Sequence, residues 1–296
     1  MTDLAANPPP AVPAPAAPVR QLGYSVRAIW PFLVIFGGFV LLALFAPLIA
    51  PNDPNSQNLL ARLRPPGTTA RGIFYALGTD EVGRDLLSRL IYGARVSLLV
   101  AFLSVLVSTV LGTTLGMIAG YYRGWVEVII MRLVDIVLSI PAILLAIITV
   151  AVLGPGLQNL ILVLGFTRWP RYARVAYGQT LVVMNLPFVR ASRFIGARTP
   201  RLMLRHILPN IAGAVIVVAT LEFGLMVLFE AGLSFLGLGV QPPTPSWGSI
   251  LSVGRNYMAT AWWIATFPGI CLFLLALSIN LIGDHLRDRL DPRSKR

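Results

Sequence analysis

Charge is scarce in this sequence: only 12% of its 296 residues are Asp, Glu, Lys or Arg, and bases outnumber acids 24 to 12. Soluble domains carry about 25% charged residues. Together with a hydrophobic fraction of 56% and a mean hydropathy of +0.76, that shortage excludes an ordinary soluble domain and indicates a polytopic membrane protein. Cysteine is nearly absent as well. The single thiol, Cys271, lies in an apolar run, so no intrachain disulfide can form and a structural role is its default. Lysine is reduced to Lys295, a bias that carries no mechanism. His206 and His285 have no partners at metal-ligand spacing, so no metal site is expected. Nucleophile–base constellations, phosphate-binding glycine loops and cofactor fingerprints are also missing. The chain is therefore expected to have no catalytic residues, to need no cofactor of its own and not to hydrolyse ATP. The net charge of +12 does not imply nucleic acid, because the basic residues fall between and after apolar runs instead of on one soluble domain.

Long apolar runs fill the space that charge leaves. Residues 1–28 hold the run NPPPAVPAPAAP, which cannot build a core and reads as a flexible cytoplasmic tail. Ile29 to Ala50 is uncharged and exceeds the roughly 20 residues needed to cross a bilayer, so it is expected to be a retained first helix. A second helix lies between Arg95 and Arg123. A third and a fourth lie between Asp135 and Arg168, divided at Gly154-Pro155-Gly156. The fourth is short in its apolar part, Leu157 to Phe166, so Arg168, Arg171 and Arg174 are expected to snorkel or to lie at its cytoplasmic end. A fifth runs from Pro209 to about Phe235 and a sixth lies between Arg255 and Asp284. With six crossings, alternate segments hold seventeen basic residues on the side of the termini and seven on the other. Both termini are thus expected in the cytoplasm. Gly112, Gly116 and Gly120 line one face of the second helix and permit a close neighbour, with packing inside the chain favoured over a subunit interface. Pro141 is a candidate kink in the third helix.

Few charges remain inside the spans. Arg132 and Asp135, three apart, are expected to neutralise each other. Glu222 and Glu230 lie in the fifth helix with no basic neighbour in sequence. They are offset by about 80° and about 12 Å. One reading makes them the lining of an aqueous pathway for a cationic or zwitterionic solute. The other places Glu230 at the outer interface and pairs Glu222 with another helix.

The main basic interruption, from Asn185 to Asn210, reads NLPFVRASRFIGARTPRLMLRHILPN, and between Arg168 and Arg205 there are eight arginines and no acid. Pro187 can open one short helix, and Thr199-Pro200 can cap and open a second, with Gly196 between them and Pro209 as the stop. Phe188, Ala191, Ser192 and Ile195 follow helical spacing on one face, while Arg190 and Arg193 point elsewhere and Arg198 lies in the turn. Such an elbow could lie on anionic headgroups or plug into a groove on a soluble partner.

The order Arg190-Ala191-Ser192, Gly196, then Leu208-Pro209 resembles the cytoplasmic coupling loop of ATP-binding-cassette (ABC) importer permeases. Other motifs narrow the resemblance to the second, shorter permease subunit of the dipeptide, oligopeptide and nickel family. They are Leu77-Gly78-Thr79-Asp80, Gly83-Arg84-Asp85, Ser88-Arg89 and Tyr92-Gly93-Ala94-Arg95 ahead of the second helix. Leu233 to Gly239, Gln241-Pro242-Pro243 and Ser246-Trp247-Gly248 follow the fifth, and Gly283-Asp284 to Arg293 closes the chain. One position departs from the family: its loop usually begins Glu-Ala-Ala, and here the first residue is Arg190. A guanidinium stands where a carboxylate is usual, so the resemblance does not supply its partner.

The resemblance implies an all-α integral membrane protein with six transmembrane helices and the ABC importer type I permease fold. Its divisions would be the tail 1–28, the first helix and extracytoplasmic segment 29–94, the permease domain 95–284 and the cytoplasmic tail 285–296. The implied function is alternating access for peptides or similar small solutes, driven by partner ATPases. Pro187, Arg190, Ala191, Ser192, Gly196, Leu208 and Pro209 would form the coupling loop, with Glu222 and Glu230 as candidate pathway residues. The implied partners are a second homologous permease, two ATP-binding-cassette ATPase subunits, an extracytoplasmic substrate-binding protein and the lipid bilayer. An ion-gradient carrier using Glu222, Glu230 and Asp135, or a membrane scaffold with a recruiting loop, would share the charge pattern but would not explain the motifs outside the loop.

Overall fold

The computed structural model describes residues 26–290; the Pro/Ala-rich run and the last six residues lie outside the described part. Helix α1 (Val26–Leu44) is followed by a break at Phe45 and one further turn, α2 (Ala46–Ile49), which opens on Pro47. The first apolar run is therefore interrupted near its end, and its helical part, Ile29–Leu44, is shorter than a full crossing. A short hairpin follows, β1 (Thr68–Ala70) pairing antiparallel with β2 (Ile73–Tyr75). This hairpin, with an isolated antiparallel bridge between Thr79 and Asp85, departs from an all-helical chain. Its turn, Arg71-Gly72, has both φ angles positive, at 51° and 77°. That is the backbone of a two-residue hairpin turn of type I′.

The central element is α3 (Leu86–Tyr122), which at 37 residues is about 55 Å long. It starts well before Arg95, because Asp85 caps it, accepting from the Ser88 backbone N–H at 3.1 Å and from the Ser88 hydroxyl at 2.6 Å. Helices α4 (Gly124–Ser139) and α5 (Ala142–Leu153) are bent by 91° at Ile140-Pro141, a full break instead of a kink. Gly154 and Gly156, at φ 86° and 149°, then turn the chain into α6 (Leu157–Val183). Beyond it come α7 (Pro187–Phe194), α8 (Thr199–Leu202), α9 (Leu208–Phe235), α10 (Trp247–Arg255) and α11 (Trp263–Leu290).

Among the described residues, three helical stretches are long and apolar enough to cross a membrane: Leu86–Tyr122, Thr199–Phe235 and Trp263–Leu290. The bent α4–α5 pair makes a fourth if it counts as one span. Helix α6 does not qualify by composition, because Arg168, Arg171 and Arg174 lie in its middle and second half, not beyond its end. Removing those three from the basic loop leaves fourteen basic residues against seven, so the bias itself survives.

The most extensive helix pairing joins α3 to α6. A column of small residues makes it close. Ser104 and Ser108 donate to the carbonyl oxygens of Ile161 and Gly165 at 3.3 and 2.8 Å. Below them, Gly112, Gly116 and Gly120 lie directly against the α6 residues Trp169, Ala173 and Thr180. The glycine face is thus occupied within the chain, and the serines extend it upward by two helical turns.

The motifs flanking α3 and α9 form a second set of contacts. Buried Trp247 donates its indole N–H to the Leu90 carbonyl at 2.9 Å, and Gly93 leaves room for its ring. Trp263 donates to the Thr79 carbonyl at 3.1 Å. Asp80 is held between Arg84 at 2.6 Å and Arg89 at 3.4 Å. The neighbouring Glu81 carboxyl is pushed above its ordinary range, first by burial and then by the charge of Asp80.

Gly116→Ala tests the seam. Its new methyl would collide with the Ala173 carbonyl and lie 2.8 Å from the Ala176 Cβ, so the helices must separate. A loss of about 1–3 kcal/mol is expected for such overpacking. Gly37→Ala and Gly38→Ala, which meet nothing within 4 Å, should be neutral or slightly stabilising in the same thermal unfolding assay in detergent.

Candidate functional site

The elbow between α6 and α9 is built by proline at one end and glycine in the middle. Pro187 occupies the first turn of α7, where its missing N–H is harmless, and Gly196 at φ 84° makes the turn that ends it. Arg198 precedes α8 as its cap residue, with no side-chain cap bond. The Thr199 hydroxyl lies 3.2 Å from the Tyr121 hydroxyl of α3 and so does not cap. Pro209 does not stop the chain. Residues Met203–Ile207 form a π-helical turn that carries α8 straight into α9, with Pro209 in the first turn of that helix. Widening the helix by one residue relieves the clash and the lost hydrogen bond that proline imposes.

One side of the elbow faces inward. Val189, Leu202, Ile207 and Ile211 are buried in a cluster with Met117 of α3 and Tyr172 of α6. The other side faces outward and is apolar: Phe194 is 90% and Ile195 87% exposed, and Phe188 and Leu204 are also exposed. Ala191 is exposed on the same helix and Ser192 half-buried. Arg190 donates to the Asn185 side-chain oxygen at 3.0 Å, and Arg193 stacks over the Tyr121 ring at 6.0 Å. Helical spacing from Phe188 identified Ile195 but passed over Phe194, the more exposed of the two.

The second cluster lies midway along α6 and α9. Glu222 is 2% exposed and accepts from Arg168 Nε at 2.8 Å and Arg168 Nη2 at 3.0 Å, a two-pronged pairing. Arg171 adds a third bond to Glu222 at 3.0 Å. Arg168 is itself buried, with its guanidinium 5.1 Å from the centre of the Phe229 ring. Asp135 of α4 pairs with Arg174 of α6, not with Arg132 on its own helix. Interhelical pairing wins because Arg174 and Asp135 are both half-exposed and directly in contact across the α4–α6 boundary. The sequence led these arginines to be expected to snorkel or to lie at the cytoplasmic end of their helix, with no partner named. The missed signal was their spacing at 168, 171 and 174, which puts them on adjoining faces of a helix that has Glu222 opposite.

Glu230 is fully buried. It accepts from Ser97 of α3 and from Ser234 of α9, each at 2.7 Å, and the Ser234 hydroxyl in turn accepts from the Val240 backbone at 3.2 Å. It joins three segments and has no arginine beside it. Glu222 and Glu230 therefore stand in different environments: Glu222 borders a cleft, whereas Glu230 is enclosed.

Because Arg168 and Glu222 neutralise each other in the interior, Glu222→Leu should cost about 3–5 kcal/mol by leaving a buried guanidinium unbalanced. The double variant Arg168→Leu/Glu222→Leu should recover most of the loss. Thermal unfolding in nanodiscs reads both, and equal destabilisation by single and double variants would contradict the pairing.

Comparison with known proteins agrees with this architecture. Residues 112–296 match the family described as binding-protein-dependent transport system inner membrane component. Residues 29–66 match the N-terminal TM domain of oligopeptide transport permease C. The dipeptide transport system permease protein DppC of Escherichia coli is 45% identical over 304 residues, covering 100% of both chains. The di/tripeptide transport system permease protein DppC of Pseudomonas aeruginosa is 46% identical over 257 residues, 86% of this chain and 85% of that one. Among solved structures, an inward-facing MetNI methionine ABC transporter superposes with a TM-score of 0.54 at 22% identity, over 68% of this chain and 96% of its own. That likeness shows the fold. With a family match across more than half the chain and full-length relatives at this identity, the chain belongs to the inner-membrane permeases of ABC importers, in the branch of peptide transport permeases.

Proposed function

We propose that this chain is the shorter permease of a peptide importer, crossing the inner membrane six times with both termini in the cytoplasm. Its elbow at 187–209 would be seated in a groove of one ATPase. Helices α1, α3, the broken α4–α5 pair, α6, α9 and α11 supply the six crossings, and α6 crosses despite its arginines because Glu222 and Asp135 neutralise two of them. Peptide is the cargo named for the two DppC relatives. A homologous second permease, two ATPases and an extracytoplasmic binding protein complete the proposed assembly. ATP-driven closure of the ATPases would move the elbow, and with it α6 and α9, between two states.

The observation that carries this reading is the two-sided elbow. Val189, Leu202 and Ile207 hold it to the body of the chain while Phe194 and Ile195 stand out into solvent. An apolar tip on a basic, rigidly held loop suits a protein groove, which buries the tip, better than a headgroup layer alone. A gradient-driven carrier is less well served: Asp135 and Glu222 are both paired with arginine, and Glu230 is enclosed.

Phe194→Asp is expected to leave the chain folded, because the side chain is 90% exposed, but to cut transport and co-purification of the ATPases at least tenfold. Arg190→Glu restores the family's usual charge. If Arg190 meets an acidic or carbonyl-rich rim, this variant should weaken ATPase coupling, and unchanged or improved coupling would reject that pairing. For topology, a periplasm-active reporter fused after Pro51 should be active, and one fused after Val183 inactive. The reverse pattern would overturn the six-span orientation.

A further inference from the structure

Between α4, α6, α9 and α11 lies a cleft of about 590 Å³, walled mostly by apolar side chains such as Leu138, Val218, Leu221 and Leu225, with Asn280 on α11. Arg171, Arg174 and Glu222 provide its charge. The charges around it do not balance. Three guanidiniums, Arg168, Arg171 and Arg174, face two carboxylates, Glu222 and Asp135. Arg168 already satisfies both oxygens of Glu222, and Arg174 is matched by Asp135. The surplus positive charge therefore falls on Arg171, whose bond to Glu222 repeats one that Arg168 makes.

Arg171 is half-exposed, with 51% of its side chain accessible, and one of its five N–H donors is accounted for by Glu222. A surplus guanidinium midway along a membrane-crossing helix is costly unless water or an anion reaches it. The apolar walls strengthen its field by lowering the local dielectric. Planar guanidinium geometry matches a carboxylate with two parallel hydrogen bonds.

We propose that Arg171 in this cleft is a transit subsite for the carboxylate group of the imported solute. This rests on the importer reading above and adds to it the chemical feature that the permease itself recognises. For a peptide, that feature is the free C-terminus, while the apolar walls accept side chains without selecting among them. Glu222 is too buried to bind an ammonium group and serves as a positioning residue for Arg171.

The test uses the complete transporter in nanodiscs, with Cys271→Ser and Val218→Cys in this chain, and compares anionic and cationic methanethiosulfonate reagents of similar size. The introduced thiol should react about tenfold faster with the anionic reagent, a preference kept by Arg171→Lys and abolished by Arg171→Gln. In liposomes with the binding protein, Arg171→Gln should lower uptake of alanyl-alanine roughly tenfold more than uptake of alanyl-alanine amide. The binding protein's own preference cancels in that ratio. Equal loss for both probes would overturn the subsite, as would labelling with no charge preference or no labelling at all. A preference that follows the anionic lipid content would assign Arg171 to a headgroup phosphate instead. If the unmodified transporter imports neither probe, the peptide reading fails, while the labelling ratio still decides the cleft.

Discussion

The close approach of α3 and α6 fixes where every other functional group stands. Backbones come this near only when side chains are reduced to hydrogen or a hydroxymethyl group. The column from Ser104 through Gly120 provides that reduction over four successive helical intervals. With α6 pinned on that side, its opposite faces turn toward α4 and α9, and Arg168, Arg171 and Arg174 have carboxylates to meet. Tyr172 and Val189 complete the link, since the cluster that buries the inner side of the elbow is continuous with the end of the same seam.

Charge inside this chain follows one rule at different strengths. Where burial is complete and an arginine is opposite, the pair neutralises itself, as with Arg168 and Glu222. Where burial is complete and no arginine is near, hydroxyl donors surround the carboxylate, as at Glu230 with Ser97 and Ser234. At the edge of the cleft Arg171 is half-exposed and makes one bond to a carboxylate that Arg168 already occupies. The distribution separates a polar junction that holds three segments together from a half-exposed guanidinium at the edge of the cleft.

Much of this architecture was legible in the sequence, and its failures have physical causes. Uncharged runs located the apolar helices, Gly154-Pro155-Gly156 separated α5 from α6, and Pro187 and Gly196 outlined the elbow. The family motifs were legible as motifs but not as contacts. Nothing in sequence shows that Trp247 reaches the Leu90 carbonyl 157 residues earlier. The partner of Arg168 was not legible from its own neighbourhood, because it is a glutamate more than fifty positions away on another helix. Pro209 was read as a stop because the rule for proline presumes an α-helix, and the chain widened to a π-turn instead. The hairpin was missed because its strands are three residues each and its turn is Arg-Gly, not Asn-Gly.

That π-turn sets a constraint on how the family's sequences can vary here. An α-helix advances about 100° per residue, so one extra residue in a turn rotates everything beyond it by that angle. Met203–Ile207 thereby joins two registers: that of α8, which buries Leu202 against the body of the chain, and that of α9, which turns Glu222 toward Arg168. Losing or gaining a single residue between Pro200 and Glu222 would leave both ends intact and aim them in incompatible directions. The segment between the elbow and the buried carboxylate is therefore a counted length, constrained in its number of residues as well as in the side chains it buries.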